Sequence, residues 1–407
     1  MLNNQSKIHT QKVVSITKLN LAMFSILLVA GAQTSSAKTV VLTPQQNQTT
    51  VIRQSFHQPK IQLAILLDTS SSMNGLIDQT RNQIWQVVNE FSTAKQNGIK
   101  PILEVALFEY GNDGNSAQSG FVRQLSAFTR ELDGISEGLF SLTTNGGSEY
   151  CGYAIKTAVN SLQWSHSNTD IKTIFIAGNE PFTQGPVNYR EALNLAKQQG
   201  ITVNTIHAGN YQTGVQTGWQ SGATIAGGDY MSIDTNIKVV HVNAPQDQAI
   251  AELNSRLNQT YVPYGNAGKK NKLRQDEQDK LSSNISSGLL AKRAKSKSSS
   301  FYNNSDWDLV DAFKDGKMNE AELSKIEASA LPAPMKAMSI KEKKEYVQEQ
   351  AQKRDKINKE IADLSRSRAK YVAKEKKKQL AAAPSVSDAL TKAIKKQAEK
   401  KDYKFEE

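Results

Sequence analysis

The stretch QLAILLDTSSSM, residues 62–73, decides the fold of this 407-residue chain. Its apolar run ends at the acidic residue Asp68, and four hydroxyl residues follow. A short apolar run that is bounded by small polar residues is typical of a strand buried on both faces of a parallel sheet. Open α/β sheets bind their ligands at the carboxyl ends of such strands, where the loops converge. The sequence therefore predicts a binding site built from oxygen atoms at this edge.

Strand and helix patterns alternate along the chain up to Thr260. A helix is predicted directly after the quoted stretch, since apolar residues recur at helical spacing from Ile77 to Phe91. Further strands are predicted in the segments ILEVALFEYG, FVRQLSAF, KTIFIAG, ITVNTIHAG and IKVVHV. This alternation predicts an α/β domain with a doubly wound, mostly parallel sheet over residues 58–262.

The last third of the chain differs in composition from this domain. Residues 1–268 contain 17 basic and 17 acidic residues, whereas residues 269–407 contain 33 and 22, so the whole net charge of +11 lies there. We expect a basic polar linker over 263–304 and a basic, largely helical region over 305–407.

A long helix is predicted within the C-terminal region. Ser339 and Glu342 have the spacing of a capping box, and the helix that they begin is expected to end near Leu380. Arg354 and Arg368 interrupt its apolar stripe, so the pattern favours only a weak coiled coil.

The N-terminus has the composition of a secretory signal. Two lysines precede the apolar run LNLAMFSILLVAGA, and small residues follow it up to Ala37. This pattern predicts a cleavable signal peptide over residues 1–37, a linker over 38–57, and a periplasmic or otherwise exported protein without a transmembrane segment after cleavage. A membrane anchor is the alternative, which the shortness of the apolar run disfavours. The only cysteine, Cys151, excludes a disulfide within the chain and is expected to be buried.

The hydroxyl residues after the first strand indicate a cation site. Asp68, Ser70 and Ser72 follow the pattern Asp-x-Ser-x-Ser, which allows one carboxylate and two hydroxyls to turn toward a single point. Hard oxygen ligands of this kind suit Mg²⁺, with Mn²⁺ or Ca²⁺ as alternatives. A structural role is the competing interpretation, in which Asp68 caps the following helix.

These residues resemble the von Willebrand factor type A (VWA) domain and its metal-ion-dependent adhesion site (MIDAS). The resemblance extends over residues 58–260 and includes the loop DTSSSM and the late stretch ATIAGGDYMSID. It implies a metal ion bound by the Asp and two Ser of the first loop, a Thr of a second loop and an Asp of a third. An acidic residue of a protein partner then completes the coordination. In the second loop, TTNGGSEYCGYAI, Ser148 stands at the position of the Thr, with Thr144 and Glu149 as alternatives.

The third loop departs from the family pattern. Gly178 stands at the position of the Asp in the segment FIAGNEP, so Asn179 or Glu180 is expected to reach the metal ion instead. A site with a single carboxylate is expected to hold its cation weakly and to attract an anionic ligand strongly. The resemblance thus implies Asp68, Ser70, Ser72 and Ser148 as metal ligands, and Glu180 is expected as the substitute in the third loop.

Other motifs give weaker signals. The segment DAFKDGKMNEAE places Phe313 at the third position of an EF-hand loop, where an oxygen ligand is required, so a helix-turn-helix is favoured. His207 follows an apolar strand and is expected to be structural, and no pair of nucleophile and base indicates an enzyme. Aromatic residues are sparse in the basic tail, which argues against nucleic acid as a partner. An anionic envelope surface and a plain solvated helix face remain as interpretations of its charge.

Two functions remain from the sequence. The first is an exported binding protein that captures an acidic residue of a protein partner in the cell envelope through Mg²⁺. The second is an envelope scaffold that holds no metal ion and binds through its basic helical tail. Fold analogy alone does not decide between them.

Overall fold

The structure is a computed structural model, and it describes residues 58–73, 77, 85–86, 88–233, 242–378 and 386–405. The predicted signal peptide and the linker after it lie outside the described residues, as does the predicted strand IKVVHV apart from its last residue. Contacts join Phe56–Glu407 into one compact unit. Within the described parts of the chain, no helix combines the length and the apolar composition that crossing a membrane requires.

A six-stranded sheet forms the centre of this unit. The described strands are β1 (Lys60–Asp68), β2 (Ala94–Gln96), β3 (Ile102–Tyr110), β4 (Arg123–Thr129), β5 (Ile171–Gly178), β6 (Thr202–Ala208), β7 (Gly227–Ile233) and β8 (Tyr403–Phe405). The large sheet has the order β4-β3-β1-β5-β6-β7. β4 runs antiparallel to β3, and the other neighbours are parallel. The predicted mostly parallel sheet of the α/β class is therefore confirmed.

Helices cover both faces of this sheet. In the α/β domain they include α1 (Leu132–Ser141), α2 (Cys151–Ser161), α3 (Tyr189–Gln198), α4 (Tyr211–Gln216), α5 (Trp219–Ile225) and α6 (Asp247–Asn258). In β1, Leu63 packs into one apolar cluster and the next residue, Ala64, into the other, as a strand buried on both faces requires. Ile77 and Phe91, at the two ends of the first predicted helix, are helical and buried.

The C-terminal region is helical and packs on the α/β domain. It contains α7 (Gly265–Ile285), α8 (Ser287–Lys297), α9 (Leu309–Lys314), α10 (Glu320–Leu323), α11 (Ile340–Lys378) and α12 (Val386–Glu399). The expected basic polar linker over 263–304 is thus largely the helices α7 and α8. Its apolar pattern is weak because buried ion pairs hold the two helices in place. Arg293 is fully buried and binds Asp133 of α1 and Asp279 of α7, at 2.6 Å each.

The long helix begins where the sequence predicts. The backbone N–H of Ser339 donates to the carboxylate of Glu342 at 2.7 Å, and that of Glu342 donates to the hydroxyl of Ser339 at 3.3 Å. These two bonds confirm the capping box. The expected helix-turn-helix is also present, since α9 and α10 follow each other closely in the chain.

Two arginines of α11 hold this helix against α9 and α6. Arg354 is buried and binds Asp308 at 2.7 Å and Asp311 at 2.9 Å, at the start of α9. Arg368 binds Asp247, the first residue of α6, at 2.5 Å. The polar residues that interrupt the apolar stripe therefore fix the helix within the unit, where it contacts α6, α8, α9 and α10.

The described C-terminal segment lies at the opposite edge of the sheet from Asp68. The side-chain amide of Gln397 in α12 donates to Oδ1 of Asn204, near the amino end of β6, at 2.7 Å. The hydroxyl of Tyr403 donates to the carbonyl of Lys60, the first residue of β1, at 3.1 Å. β8 pairs with β2 in a separate two-stranded sheet, which the sequence did not predict.

Candidate metal centre

Asp68 is the last residue of β1 and lies at the carboxyl edge of the sheet. Its side chain is buried, and Oδ1 accepts a hydrogen bond from the backbone N–H of Ser70 at 2.7 Å. The other oxygen, Oδ2, is buried and has no hydrogen-bond partner among the described residues. A buried carboxylate oxygen without a donor is costly, so this atom is the first indication of a cation.

Hydroxyl groups extend from this carboxylate toward the solvent. The Oγ atoms of Ser70 and Ser72 lie 3.0 Å apart, and the hydroxyl of Ser72 donates to Oδ1 of Asn179 at 2.9 Å. Ser70 is buried, whereas Ser72 is exposed. The oxygen cluster is therefore open to solvent on the side of Ser72.

Backbone hydrogen bonds hold the first loop against the second loop. The N–H of Ser71 donates to the carbonyl of Gly146, and the N–H of Asn145 donates to the carbonyl of Thr69, at 3.0 Å each. Gly146 has a φ of +78°, and a Cβ at this residue would lie 2.1 Å from Cγ of Asp113. Only glycine fits this turn, which fixes the two loops relative to each other.

Glu149 brings a second carboxyl group to Asp68. Burial raises the pKa of Glu149 to about 9, and its interactions with Asp68 add to this rise. Burial also raises the pKa of Asp68. Burial and mutual proximity therefore disfavour the state in which both groups are ionised. A divalent cation would neutralise both carboxylates, since a bound cation reverses the local pKa shifts.

The first two loops bring some of the predicted ligands together. Asp68, Ser70 and Ser72 form the cluster, as the pattern Asp-x-Ser-x-Ser predicts. Ser148 pairs through its backbone with Gly111, and the side chain of the next residue, Glu149, is the one that interacts with Asp68. The sequence pattern left Glu149 as an alternative, because the direction of a side chain in a turn depends on the backbone.

The third loop contributes an amide oxygen to the cluster. Asn179 accepts the hydroxyl of Ser72, whereas Glu180 places its backbone N–H 3.3 Å from Oε2 of Glu149. His207 of β6 supports this loop, since its Nε2 lies 3.2 Å from the carbonyl oxygen of Asn179. Burial lowers the pKa of His207, so the ring is neutral and acts as a structural residue, as expected.

Gly178, which stands at the position of the family Asp, lies beside the hydroxyl of Tyr110. A Cβ at Gly178 would be 2.4 Å from Oη of Tyr110 and 2.9 Å from Oδ2 of Asp68. The hydroxyl of Tyr110 is held there because it donates to the carbonyl of Ala177 at 2.9 Å. Tyr110 therefore fills the space in which the side chain of an Asp at residue 178 would begin. Neither the sequence around Tyr110 nor the sequence around Gly178 indicates this contact alone.

The donor set fits a hard divalent cation. It consists of two carboxylates, two hydroxyls and one amide oxygen, from Asp68, Glu149, Ser70, Ser72 and Asn179. No three His, Cys, Asp or Glu side chains of the described residues converge as a metal site, so the neutral oxygens are needed to complete the coordination. Mixed carboxylate and neutral oxygen ligands are typical of Mg²⁺ and Ca²⁺ sites.

One family model matches part of the α/β domain. Residues 62–217 match the family model of the von Willebrand factor type A domain. No curated protein matches the sequence. Proximal thread matrix protein 1 from the mussel byssus, solved with a zinc-occupied MIDAS motif, is 13% identical, with a TM-score of 0.32, over 44% of this chain and 43% of that chain. This chain therefore spans less than half of the mussel protein.

Two bacterial structures are also similar. BatB from Bacteroides thetaiotaomicron is 15% identical, with a TM-score of 0.33, over 54% of this chain and 99% of that chain. The vWF domain of the type V pili tip protein Mfa5 from Porphyromonas gingivalis is 11% identical, with a TM-score of 0.32, over 44% of this chain and 91% of that chain.

Proposed function

Because the chain contains a von Willebrand factor type A domain, we propose that it is a binding protein that captures a protein partner through a divalent cation. The cation would lie between Asp68 and Glu149 at the carboxyl edge of the sheet. One observation carries this proposal: Oδ2 of Asp68 is buried without a donor, next to a second buried carboxyl group. A cation would stabilise both groups at once.

The protein would supply the inner ligands, and the partner would supply the outer one. Asp68 and Ser70 are buried, so they hold the protein side of the cation, while the exposed Ser72 marks its open side. An acidic residue of the partner would replace a water molecule on that side. Mg²⁺ is the expected cation, with Mn²⁺ and Ca²⁺ as alternatives, because all ligands are oxygen atoms.

This function is binding without catalysis. The hydroxyls of Ser70 and Ser72 bond to each other and to Asn179, as cation ligands would, and among the described residues no histidine bonds to either one. We place the protein in the periplasm or elsewhere outside the cytoplasm, where a partner in the cell envelope is available, on the basis of its signal-like N-terminal composition.

The test is a titration of Mn²⁺ with and without a short peptide that carries one aspartate. If the cation raises the affinity of the protein for the peptide, linkage requires that the peptide raises the affinity of the protein for the cation by the same factor. We expect the aspartate peptide to tighten Mn²⁺ binding, and the matched asparagine peptide to have no effect. Equal Mn²⁺ affinities with both peptides would refute capture through an acidic residue.

A second candidate function is binding to an anionic surface through α11, independent of metal. Lys356, Lys359, Lys370 and Lys374 are exposed and recur at spacings that place them on one face of the helix. Co-sedimentation with phosphatidylglycerol vesicles, and not with phosphatidylcholine vesicles, would support this function. The Asp68→Ala variant should bind such vesicles as the parent does, because Asp68 lies outside α11.

A further inference from the structure

Lys297, the last residue of α8, is buried in a polar cluster outside the metal centre. Its side chain is 0% exposed, which is rare for a lysine. Around it lie Asn258, the last residue of α6, and Asp279 of α7. A buried lysine usually forms an ion pair that has only a structural role. Here the amine has a second neighbour, the carboxamide of Asn258.

One carboxylate oxygen contacts both nitrogen atoms of this cluster. Nζ of Lys297 donates to Oδ2 of Asp279 at 2.8 Å, and Nδ2 of Asn258 donates to the same oxygen at 2.7 Å. Nζ of Lys297 also donates directly to Oδ1 of Asn258. The amine is therefore next to the carboxamide, and a single base reaches both the amine and the amide nitrogen.

The charges in the cluster suit a reaction between these groups. Burial lowers the pKa of Lys297 to about 8, and the nearby charge of Arg293 acts in the same direction against the attraction of Asp279. A neutral, nucleophilic amine is therefore accessible near neutral pH. Burial alone would raise the pKa of Asp279, but the charges of Lys297 and Arg293 outweigh it and hold that pKa below its usual range. Asp279 is thus ionised while Lys297 is protonated, and it becomes a stronger base once Lys297 is neutral, because the main charge that lowers its pKa is then gone.

We infer that Lys297 and Asn258 form an intramolecular isopeptide bond, with Asp279 as the proton carrier. The lone pair of Nζ adds to Cγ of Asn258, and Oδ2 of Asp279 takes a proton from Nζ. The same oxygen passes the proton to Nδ2, the Cγ–Nδ2 bond breaks, and ammonia leaves. One amine and one carboxamide become one secondary amide and one ammonia, so no oxidant or other reactant is needed.

The bond would join the C-terminal end of α6 to the C-terminal end of α8. These residues are 39 positions apart, and the closed loop contains all of α7. A covalent link of this kind restricts the unfolded chain, as a disulfide does, in a protein whose one cysteine has no partner within the chain. It would fix the C-terminal region on the α/β domain.

The test is mass spectrometry of the denatured full-length protein, followed by proteolysis. We expect an intact mass that is lower by one ammonia, and a branched peptide in which Lys297 is joined to Asn258. The Lys297→Arg variant keeps the positive charge and should show neither change. The matched control is Asn254→Ala, because Asn254 donates to the same oxygen of Asp279 at 2.7 Å, while the side-chain hydrogen bonds of Lys297 go to Asn258 and Asp279; this variant should keep the link. An unchanged parent mass, or a loss of ammonia that maps to another asparagine, would overturn the inference.

Discussion

The contact between Gly178 and Tyr110 yields a quantitative prediction about the third loop. In Gly178→Ala the added Cβ would lie 2.4 Å from Oη of Tyr110 and 3.1 Å from the ring of Trp219. Both side chains are fully buried, so neither has free space to move into. We expect the variant to lose about 1–3 kcal/mol of unfolding free energy, the range for an overpacked core.

Removal of the Tyr110 hydroxyl should restore part of the stability that Gly178→Ala loses. Tyr110→Phe alone should cost about 1 kcal/mol, because it removes the hydrogen bond to the carbonyl of Ala177. In the double variant the shortest contact of the added Cβ is gone, while Oδ2 of Asp68 still lies 2.9 Å from it. The two costs should therefore add only in part, with a coupling on the order of 1 kcal/mol. Gly147→Ala is the matched control, since no described residue other than its two chain neighbours lies within 4 Å of the added Cβ.

Urea unfolding of the four proteins, followed by tryptophan fluorescence and by circular dichroism, measures this cycle. Trp219 adjoins the substituted position and is one of the four tryptophans that contribute to the fluorescence signal. Strictly additive costs would show that Tyr110 does not occupy the position in question. A Gly147→Ala variant as unstable as Gly178→Ala would show that the loss is a general effect of replacing glycine in these loops.

Three further predictions concern the C-terminal region. Arg354→Met should lower the unfolding free energy by about 3–5 kcal/mol in urea, because it leaves two buried aspartates without their partner, whereas the exposed Arg366→Met should cost little. Gln397→Ala should cost about 1 kcal/mol, since it removes one of the two hydrogen bonds to Oδ1 of buried Asn204, which still accepts from the backbone N–H of Asp229; exposed Lys400→Ala serves as its control. Burial raises the pKa of Asp311 from 3.8 to about 6. The folded state therefore binds the proton more tightly than the unfolded state, so the contribution of Asp311 to stability falls as the pH rises through this window. Urea unfolding of the parent at a series of pH values should show this decline, and Asp311→Asn should lack it. The same dependence of unfolding free energy on pH in both proteins would show that Asp311 ionises normally.

The sequence predicts the α/β core well because its signals are local. The apolar run before Asp68 and the alternation after it specify a parallel sheet, and the capping box at Ser339 marks the start of α11. Asp68, Ser70 and Ser72 lie within five residues of each other, so their convergence follows from the loop itself.

The remaining features depend on residues that are far apart in the chain. Tyr110 adjoins Gly178 only because β3 and β5 both pair with β1. α7 and α8 lack a clear apolar stripe, since Arg293 and Lys297 bury their charges against Asp279 instead. The pairing of β2 with β8 joins two segments of three residues, one in the α/β domain and one at the end of the C-terminal region, which no local pattern indicates.

The most direct test of the metal centre is calorimetric titration of Mg²⁺ and Mn²⁺ into the parent and three variants. We expect the parent to bind one cation and Asp68→Ala to bind none, with an unchanged circular dichroism spectrum. Glu149→Gln should lose on the order of tenfold in affinity, about 1.4 kcal/mol, because it removes one of the two carboxylates. Glu180→Gln should match the parent, since Glu180 contributes its backbone N–H to the cluster. Binding by Asp68→Ala that equals binding by the parent would contradict a cation at the carboxyl end of β1.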